Sequence, residues 1–379
     1  MLPFPIISSR NILPKKVIKK IDGASNIFIL YDNGKLYSRG VNYFGQLGIG
    51  NTTNQGQWVL SHEDVKDIFS SIYGTYIIKN DDSIMYAGQG YTVNNGTVNV
   101  TTFTDYTSIF GSHVGSIKEI RCGAYSTLFL KNDGTLYGFG MNNNGELGST
   151  SLNSYRGVQL IASNVKKMNI IDRSSGYLNN SGQYFRTGYN SFYTLGTGTN
   201  TQLTAFTRYG ISYEVKDFIL GLYCTYLLLR DETNSRMRIY NAGSSINGIL
   251  GNGSTTGQKA VFSELTQFTD IDMIPTETFN SNSAPSSTLI FMNRTGTNLY
   301  STGLNANSPF GNGSTGGNKL YLTADSIGIP AQGLINASII TSTTVGTFIL
   351  LNDEVYASST YTLLGVDSNI FINITSTLP

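Results

Sequence analysis

Short apolar runs alternate with turns rich in Asn, Asp and Gly along the chain. Residues 28–40 show the pattern most clearly, because two apolar or aromatic runs flank an Asp-Asn-Gly triplet. Asn, Asp and Gly tolerate the positive φ that tight hairpin turns require, and the flanking residues are typical of strands. Residues 128–140 repeat the same order almost step for step. The pattern therefore predicts β-hairpins that recur along the chain.

A second signature follows each hairpin. Residues 42–50 read Asn-Tyr-Phe-Gly-Gln-Leu-Gly-Ile-Gly, and residues 142–148 repeat them as Asn-Asn-Asn-Gly-Glu-Leu-Gly. The apolar residue before the glycine needs a core site, and the glycine lets the chain turn sharply before the next strand. We predict that the following glycines are structural turns of the repeat: Gly40, Gly48, Gly140, Gly148, Gly196, Gly251, Gly311 and Gly365.

An aromatic residue in the second strand of each hairpin gives the period of the repeat. It recurs from Tyr37 to Tyr356 at a spacing of about 53 residues, which lies in the range of propeller repeats. Most units begin near a Val/Ile-Lys-x-apolar segment, and each can supply four short strands, the content of one propeller blade. The predicted units are 17–64, 65–116, 117–164, 165–214, 215–270, 271–333 and 334–379.

These units predict an all-β fold, a single seven-bladed β-propeller of four-stranded blades that spans residues 1–379. A propeller must close its ring, and closure protects sheet edges that would otherwise invite aggregation. Residues 1–16 and residues 371–378 both resemble the end of a unit. We expect these terminal strands to close the ring, with one of them completing the last blade beside the other terminus.

The order of the motifs resembles the regulator of chromosome condensation repeat, in which an apolar strand, Asn/Asp-Gly, Leu-Tyr-x-x-Gly and Asn-x-x-Gly-Gln-Leu-Gly follow one another. The resemblance covers nearly the whole chain and is strongest in the first and third units. The chain departs from the family at Asn26 and Ser126, where a histidine is frequent. The resemblance implies the seven-bladed fold and, from the best-known activity of the family, nucleotide exchange on a small GTPase with chromatin binding.

Composition narrows the classes of function. Charged residues make up 13% of the chain, about half the usual share, and the formal net charge is +1. This balance argues against a nucleic-acid partner. The longest uncharged apolar stretch, residues 218–229, is too short to cross a bilayer, and the first residues lack the pattern of a secretory signal. We therefore expect no membrane insertion, and a cytoplasmic location unless the protein belongs to a virion.

No pattern in the chain points to catalysis, a metal or a cofactor. His62 and His113 lie in predicted loops without a nearby acid or nucleophile, so we interpret them as exposed imidazoles. Cys122 and Cys224 are interpreted as buried free thiols. Residues 311–316 match Gly-x-Gly-x-x-Gly, but they lie at the repeat turn and no helical pattern follows them. We expect a protein that is not an enzyme and that holds no cofactor.

Loops remain as the place where function is expected, because binding residues concentrate on loops held by a rigid scaffold. Tyrosine supplies contact area and a hydrogen bond at little rotamer cost. Aromatic residues in predicted loops are therefore the candidate partner contacts: Tyr91, Tyr106, Tyr155, Tyr189, Phe192 and Tyr193.

Three functions fit these observations. We favour a structural or interaction propeller, a component of a bacteriophage tail, collar or fibre that docks to other virion subunits and contacts a host-surface receptor or glycan. The abundance of Asn, Thr, Ser, Gly and Tyr and the scarcity of charge favour this role. The first alternative is a cellular scaffold that acts as a small-GTPase exchange factor or chromatin binder, which requires an acidic or wedge-like loop on one face and a basic loop elsewhere. The second is a glycan-binding adhesin, which requires aromatic residues grouped with Asn or Asp on one face.

Overall fold

Antiparallel hairpins built on the predicted turns are the repeating element of the structure. Strand Asn26–Tyr31 pairs with strand Leu36–Gly40, so that Ile29 lies opposite Tyr37. Between them Gly34 has a φ of 79°, in the region that glycine adopts without steric cost. Every residue of Asn26–Tyr31 is buried, so this strand is covered on both of its faces.

The computed structural model describes residues 16–93, 96–152, 155–231, 236–266, 288–292, 299–329, 334, 337–342 and 346–379. The strands are β1 (Ile18–Gly23), β2 (Asn26–Tyr31), β3 (Leu36–Gly40), β4 (Gln55–His62), β5 (Val65–Ser70), β6 (Gly74–Lys79), β7 (Ile84–Gly88), β8 (Val100–Asp105), β9 (Ile117–Cys122), β10 (Ser126–Lys131), β11 (Leu136–Met141), β12 (Tyr155–Ala162), β13 (Val165–Ile171), β14 (Ser174–Asn179), β15 (Tyr184–Gly188), β16 (Leu203–Arg208), β17 (Glu214–Leu220), β18 (Cys224–Asp231), β19 (Arg236–Ser244), β20 (Gln258–Glu264), β21 (Thr288–Met292), β22 (Leu299–Leu304), β23 (Asn318–Ala324), β24 (Ser338–Ser342), β25 (Gly346–Leu351), β26 (Glu354–Ser359) and β27 (Ser368–Asn373).

Helical structure in the described residues is confined to single turns. The α-helical turn α1 spans Thr107–Phe110. The 3₁₀ turns are Gly90–Val93, Gly111–His113, Ile246–Gly248, Thr362–Leu364 and Thr375–Thr377.

Seven antiparallel sheets follow one another along the chain, each with its strands in sequence order. We number them as blades: blade 1 (β1–β4), blade 2 (β5–β8), blade 3 (β9–β12), blade 4 (β13–β16), blade 5 (β17–β20), blade 6 (β21–β23) and blade 7 (β24–β27). Blade 6 has three strands among the described residues, and residues 267–287 before it lie outside them. The first strands of blades 1 to 5 contact one another in succession, β21 contacts β24, and β24 contacts β1. The predicted fold, an all-β seven-bladed propeller, is confirmed.

The ring closes between blades 7 and 1. β27 pairs with β26 as the outer strand of blade 7, so the C-terminal segment completes that blade. Blade 7 then meets blade 1 through side chains: Arg39 Nε donates to the carbonyl of Leu363 at 2.7 Å. The hydroxyl of Tyr31 donates to the carbonyl of Pro379 at 2.9 Å. The N-terminal segment expected to take part in closure, residues 1–16, lies outside the described residues except for Lys16.

Neighbouring blades pack through a contact that repeats around the ring. A Cβ at Gly48 would lie 2.3 Å from the ring of Phe103 on the outer strand of the next blade. Gly148 has the same relation to Phe206, also at 2.3 Å. The absence of a side chain thus lets an aromatic ring close the interface between two blades. All the glycines predicted as repeat turns have a positive φ: Gly40, Gly48, Gly140, Gly148, Gly196, Gly251, Gly311 and Gly365.

Two predictions about loops were wrong. His62 ends β4 and His113 ends a 3₁₀ turn, and both are half-buried rather than exposed. Their rings pack on aromatic side chains, with His113 at 4.3 Å from Tyr137 between ring centroids. The polar segment 91–115, between β7 and β9, contains β8. Local composition does not reveal such contacts, which depend on residues brought in from other strands.

Candidate partner-binding face

The two ends of the propeller carry different connections. The turns between first and second strands and the loops between third and fourth strands lie at one end, which we call the loop face. The turns between second and third strands and the links between blades lie at the other end, which we call the hairpin face. This division follows from the sequential antiparallel order of every sheet.

Charge is distributed unequally between the two faces. The described loop-face connections contain four charged residues: Glu146, Asp172, Arg173 and Asp367. The hairpin face instead carries ion pairs, such as Lys35 with Glu63 at 3.3 Å and Lys131 with Asp133 at 3.0 Å. The loop face is therefore a nearly neutral surface on a protein whose charges are concentrated elsewhere.

Aromatic rings on the loop face gather around Arg173. Its guanidinium lies 5.6 Å from the ring centroid of Tyr125 and 5.7 Å from that of Tyr189. Tyr91 packs edge-on against Tyr125, with 5.8 Å between centroids. A guanidinium over an aromatic face is attracted by the ring quadrupole. Arg173 thus joins rings from blades 2, 3 and 4.

The same chain of contacts continues in both directions. Phe192 lies 6.2 Å from Tyr189 and 4.8 Å from Tyr223 in blade 5. At the other end, Phe44 of blade 1 packs on Tyr73 of blade 2 at 5.7 Å. All these side chains are partly exposed. We call them the loop-face cluster: Phe44, Tyr73, Tyr91, Tyr125, Asp172, Arg173, Tyr189, Phe192 and Tyr223.

One hydrogen bond links the two parts of the loop-face cluster. The hydroxyl of Tyr73 donates to Asp172 Oδ1 at 3.0 Å, and Arg173 Nε lies 3.5 Å from the other carboxylate oxygen of Asp172. Burial and the neighbouring Asp172 carboxylate together raise the pKa of Tyr73 above its usual value. The phenol therefore stays protonated and continues to donate at physiological pH.

A buried carboxyl lies within electrostatic reach of Asp172 and Arg173. Glu146 is fully buried in the loop of blade 3, and its Oε2 accepts the backbone amide of Asn144 at 2.7 Å. Its Oε1 has no hydrogen-bond partner among the described residues. Burial raises the pKa of Glu146 to about 7, with Arg173 lowering it and Asp172 raising it by smaller amounts.

Buried asparagines hold the long loops in place. Asn42, Asn142 and Asn190 begin equivalent loops, and each side-chain oxygen accepts the amide of the leucine five residues further on at 2.8 to 2.9 Å. Each side-chain nitrogen donates to carbonyl groups later in the same loop. The loops are therefore ordered by their own sequence, which presents the loop-face cluster on a rigid support.

Comparisons with known proteins agree with this architecture. A family model of the Regulator of chromosome condensation (RCC1) repeat matches residues 117–146, in blade 3. An RCC1 repeat-containing protein of Dictyostelium discoideum is 28% identical over 166 residues, which are 40% of this chain and 34% of that protein. The chain thus matches about a third of that relative's length.

Solved structures match this fold over most of the chain. Prp20p from Saccharomyces cerevisiae, studied for its binding to Gsp1p and histones, gives a TM-score of 0.66 at 14% identity, covering 89% of this chain and 80% of Prp20p. Human WBSCR16 gives a TM-score of 0.63 at 16% identity, covering 81% of this chain and 82% of that one. The chain is a divergent RCC1-like β-propeller.

The candidate contacts predicted from sequence fall at three kinds of place in this RCC1-like propeller. Tyr91, Tyr189 and Phe192 belong to the loop-face cluster, and Tyr193 lies in the same loop with a φ of 61°. Tyr155 is the first residue of β12 rather than a loop residue.

Tyr106 directly follows β8, at the hairpin face and away from the cluster. Its ring packs edge-on against Tyr86 at 6.0 Å. Both Tyr106 and Tyr155 pack against the hydrophobic core of blades 2 and 3, and burial raises the pKa of each.

Several members of the loop-face cluster were missed from the sequence: Phe44, Tyr73, Tyr125, Asp172, Arg173 and Tyr223. A signal for some of them was present. Tyr73, Tyr125, Arg173 and Tyr223 each stand immediately before the second strand of a blade. A large side chain therefore recurs at one position of the repeat, within a turn of two or three residues. This recurrence indicates a surface that forms when the blades are arranged in a ring.

The described residues show no other feature that suggests chemistry. They contain no group of three or more side chains able to hold a metal ion. Cys122 and Cys224 are free and buried as predicted, and burial raises the pKa of Cys122 to about 12. None of the helices in the described ranges is long and apolar enough to cross a membrane.

Proposed function

We propose that this RCC1-like propeller is a non-enzymatic binding protein that docks a protein partner on its loop face, with the loop-face cluster at the centre of the contact. The single observation that carries this proposal is the chain of contacts that joins aromatic rings of blades 1 to 5 through Asp172 and Arg173. Aromatic residues and arginine contribute most of the energy at protein interfaces, and they do so when they are clustered.

Rigidity of the cluster supports the same function. The asparagine-held loops and the bond between Tyr73 and Asp172 order the surface before a partner arrives. Little conformational entropy then remains to be lost on binding, so more of the contact energy appears as affinity.

The neutral character of the loop face indicates the kind of partner surface. With four charged residues in the described loop-face connections, long-range attraction of a charged partner is weak. We expect a partner surface that is apolar or uncharged, and an affinity that changes little with ionic strength. A protein partner is also consistent with Prp20p, which was studied for its binding to Gsp1p and histones.

The functions drawn from the sequence, the favoured virion role among them, have unequal support. Exchange on a small GTPase is favoured by the RCC1 repeat match and by the fold shared with Prp20p, but the described loop-face connections contain no strongly acidic or basic loop. The proteins compared come from yeast, human and Dictyostelium, and none supports the virion role. The favoured virion role and the exchange alternative are therefore outcomes of the test rather than parts of the proposal.

Quantitative affinity capture from an extract of the source cells tests the proposal. The bait is the full chain, compared with Tyr125→Ala/Tyr189→Ala and with Tyr321→Ala, a matched control whose side chain is 52% exposed on the outer strand of blade 6. We expect one protein that binds the wild type and the control, that is lost from the double variant, and that is retained in 0.5 M salt, about the level at which the Debye length falls below 5 Å.

The contradicting results are equally specific. Equal capture by the folded double variant and the control would remove the loop face from the contact. Capture only of particle-bound structural proteins would favour the virion role. Binding to a neutral oligosaccharide array that depends on Tyr125 and Tyr189 would favour the glycan role, and acceleration of nucleotide release from a captured GTPase would favour exchange.

A further inference from the structure

Gln46 and Glu146 occupy equivalent positions in the loops of blades 1 and 3. Each follows a glycine of positive φ, and each accepts a backbone amide two residues earlier: Phe44 to Gln46 Oε1 at 2.9 Å, and Asn144 to Glu146 Oε2 at 2.7 Å. One terminal oxygen of each side chain therefore accepts the equivalent backbone amide. The two side chains differ only in the remaining atom.

In blade 1 the remaining atom contacts the next blade. In blade 1, Gln46 Nε2 donates to the carbonyl of Ile72, in the turn before β6, at 3.4 Å. The residue in the same register of blade 4, two positions before β14, is Asp172. An ionised carboxylate has no proton to donate to a carbonyl, whereas a protonated carboxyl has one. Glu146 Oε1 is buried and lacks a hydrogen-bond partner among the described residues.

Few charges surround Glu146. The turn packed against it contributes Asp172 and Arg173, which act in opposite directions. Gly145 beside it packs on Leu203 and Thr204 of β16, and Thr187 donates to the carbonyl of Gly145 at 2.8 Å. These neighbours carry no charge. Burial is therefore the main influence on the carboxyl.

We propose that Glu146 is a proton-dependent latch, whose protonated carboxyl donates to the turn at Asp172 and Arg173 and whose ionised form releases that turn. The consequence for binding rests on the proposed function, because this turn supplies the centre of the loop-face cluster. Burial places the pKa of Glu146 at about 7, above the ordinary value of 4.5. The stabilisation is therefore complete below pH 4.5 and is lost as the pH rises through 7. A partner then binds more tightly at pH 6 than at pH 8.

The latch is tested without any partner by thermal unfolding between pH 5 and 8.5. Glu146→Gln keeps the shape and carries a permanent donor, as Gln46 does. We expect the wild type and Glu146→Gln to melt together at pH 5, and the wild type to melt several degrees lower at pH 8.5. Gln46→Glu is the reciprocal control and introduces the same dependence in blade 1. Parallel melting curves for the wild type and Glu146→Gln across this range would overturn the proposal.

Hydrogen–deuterium exchange locates the effect. The backbone amide of Ala124 donates to the carbonyl of Asp172 at 2.8 Å, so peptides covering residues 123–125 and 172–173 report on the turn. Comparing wild type with Glu146→Gln at one pH cancels the intrinsic pH dependence of exchange. We expect faster exchange in the wild type at pH 8.5 and equal exchange at pH 5.5. A difference confined to other blades would contradict the latch.

These two measurements separate the latch from the proposed function. Failure to capture a protein partner would leave the melting and exchange results unaffected. Once a partner is captured, its dissociation constant should rise about tenfold between pH 6 and pH 8 for the wild type, equivalent to roughly 1.4 kcal/mol. An equal rise for Glu146→Gln would refute the regulatory role.

Discussion

Tyr73 in blade 2 donates a hydrogen bond to the carboxylate of Asp172 in blade 4, at 3.0 Å, although blade 3 lies between them in the ring. Ile72 beside it packs against the hydrophobic core of blades 4 and 5. Non-neighbouring blades meet in this way only where their turns converge on the axis. The described turns of blades 2 and 4 therefore meet across the ring, and the loop-face cluster is one connected surface.

Tyr73→Phe should destabilise the protein by about 1 to 2 kcal/mol, because it removes a hydrogen bond to a partly buried carboxylate. Urea unfolding measures the change. Tyr43→Phe is the matched control, since the Tyr43 side chain is 64% exposed on the same face. Equal stability of the two variants would mean that the bond across the axis contributes nothing.

Gly48→Val should destabilise the protein by at least about 2 kcal/mol, because Gly48 has a φ of 71° that a β-branched residue rarely adopts. A side chain there would also meet the ring of Phe103. Gly148→Val should behave in the same way. Differential scanning calorimetry checks both against Gly157→Val, because Gly157 lies exposed in β12 with nothing within 4 Å of an added Cβ. Unchanged melting temperatures for the first two variants would contradict their role in the blade interface.

Arg39→Ala should weaken the closure of the ring. Its guanidinium donates to the Leu363 carbonyl at 2.7 Å from a nearly buried position, and losing a charged donor of this kind costs roughly 2 kcal/mol. We expect lower overall stability and faster hydrogen–deuterium exchange in the blade 7 strands β26 and β27. Arg208→Ala, at an exposed arginine that ends β16, is the control. Unaltered exchange in blade 7 would show that closure does not depend on Arg39.

The repeat itself was predictable because its signals are local. Hairpin turns, alternating strands and positive-φ glycines each depend on a few consecutive residues, and the first strands of blades 1 to 5 begin at the predicted Val/Ile-Lys segments. Local chemistry also predicted buried free thiols at Cys122 and Cys224. The histidines were misjudged because the burial of His62 and His113 comes from rings on other strands.

Tyr189 and Phe192 could be proposed from sequence because they lie in one long loop. Tyr73, Tyr125 and Arg173 could not, since about fifty residues separate each from the next and each stands alone in a short turn. Their proximity arises only when the first strands of the blades are arranged around an axis.

The amino-acid sequence by itself determined the blades, because strand pairing and turn geometry are decided within each unit of the repeat. Only the tertiary structure decided which side chains share a surface and how they titrate. Glu146 and Gln46 occupy matching places in their loops, yet burial raises the pKa of Glu146 to about 7 and leaves one of its oxygens without a hydrogen-bond partner in the described structure. The desolvation of a side chain and the contacts between residues far apart in the sequence depend on the whole ring. No local pattern of residues therefore predicts them.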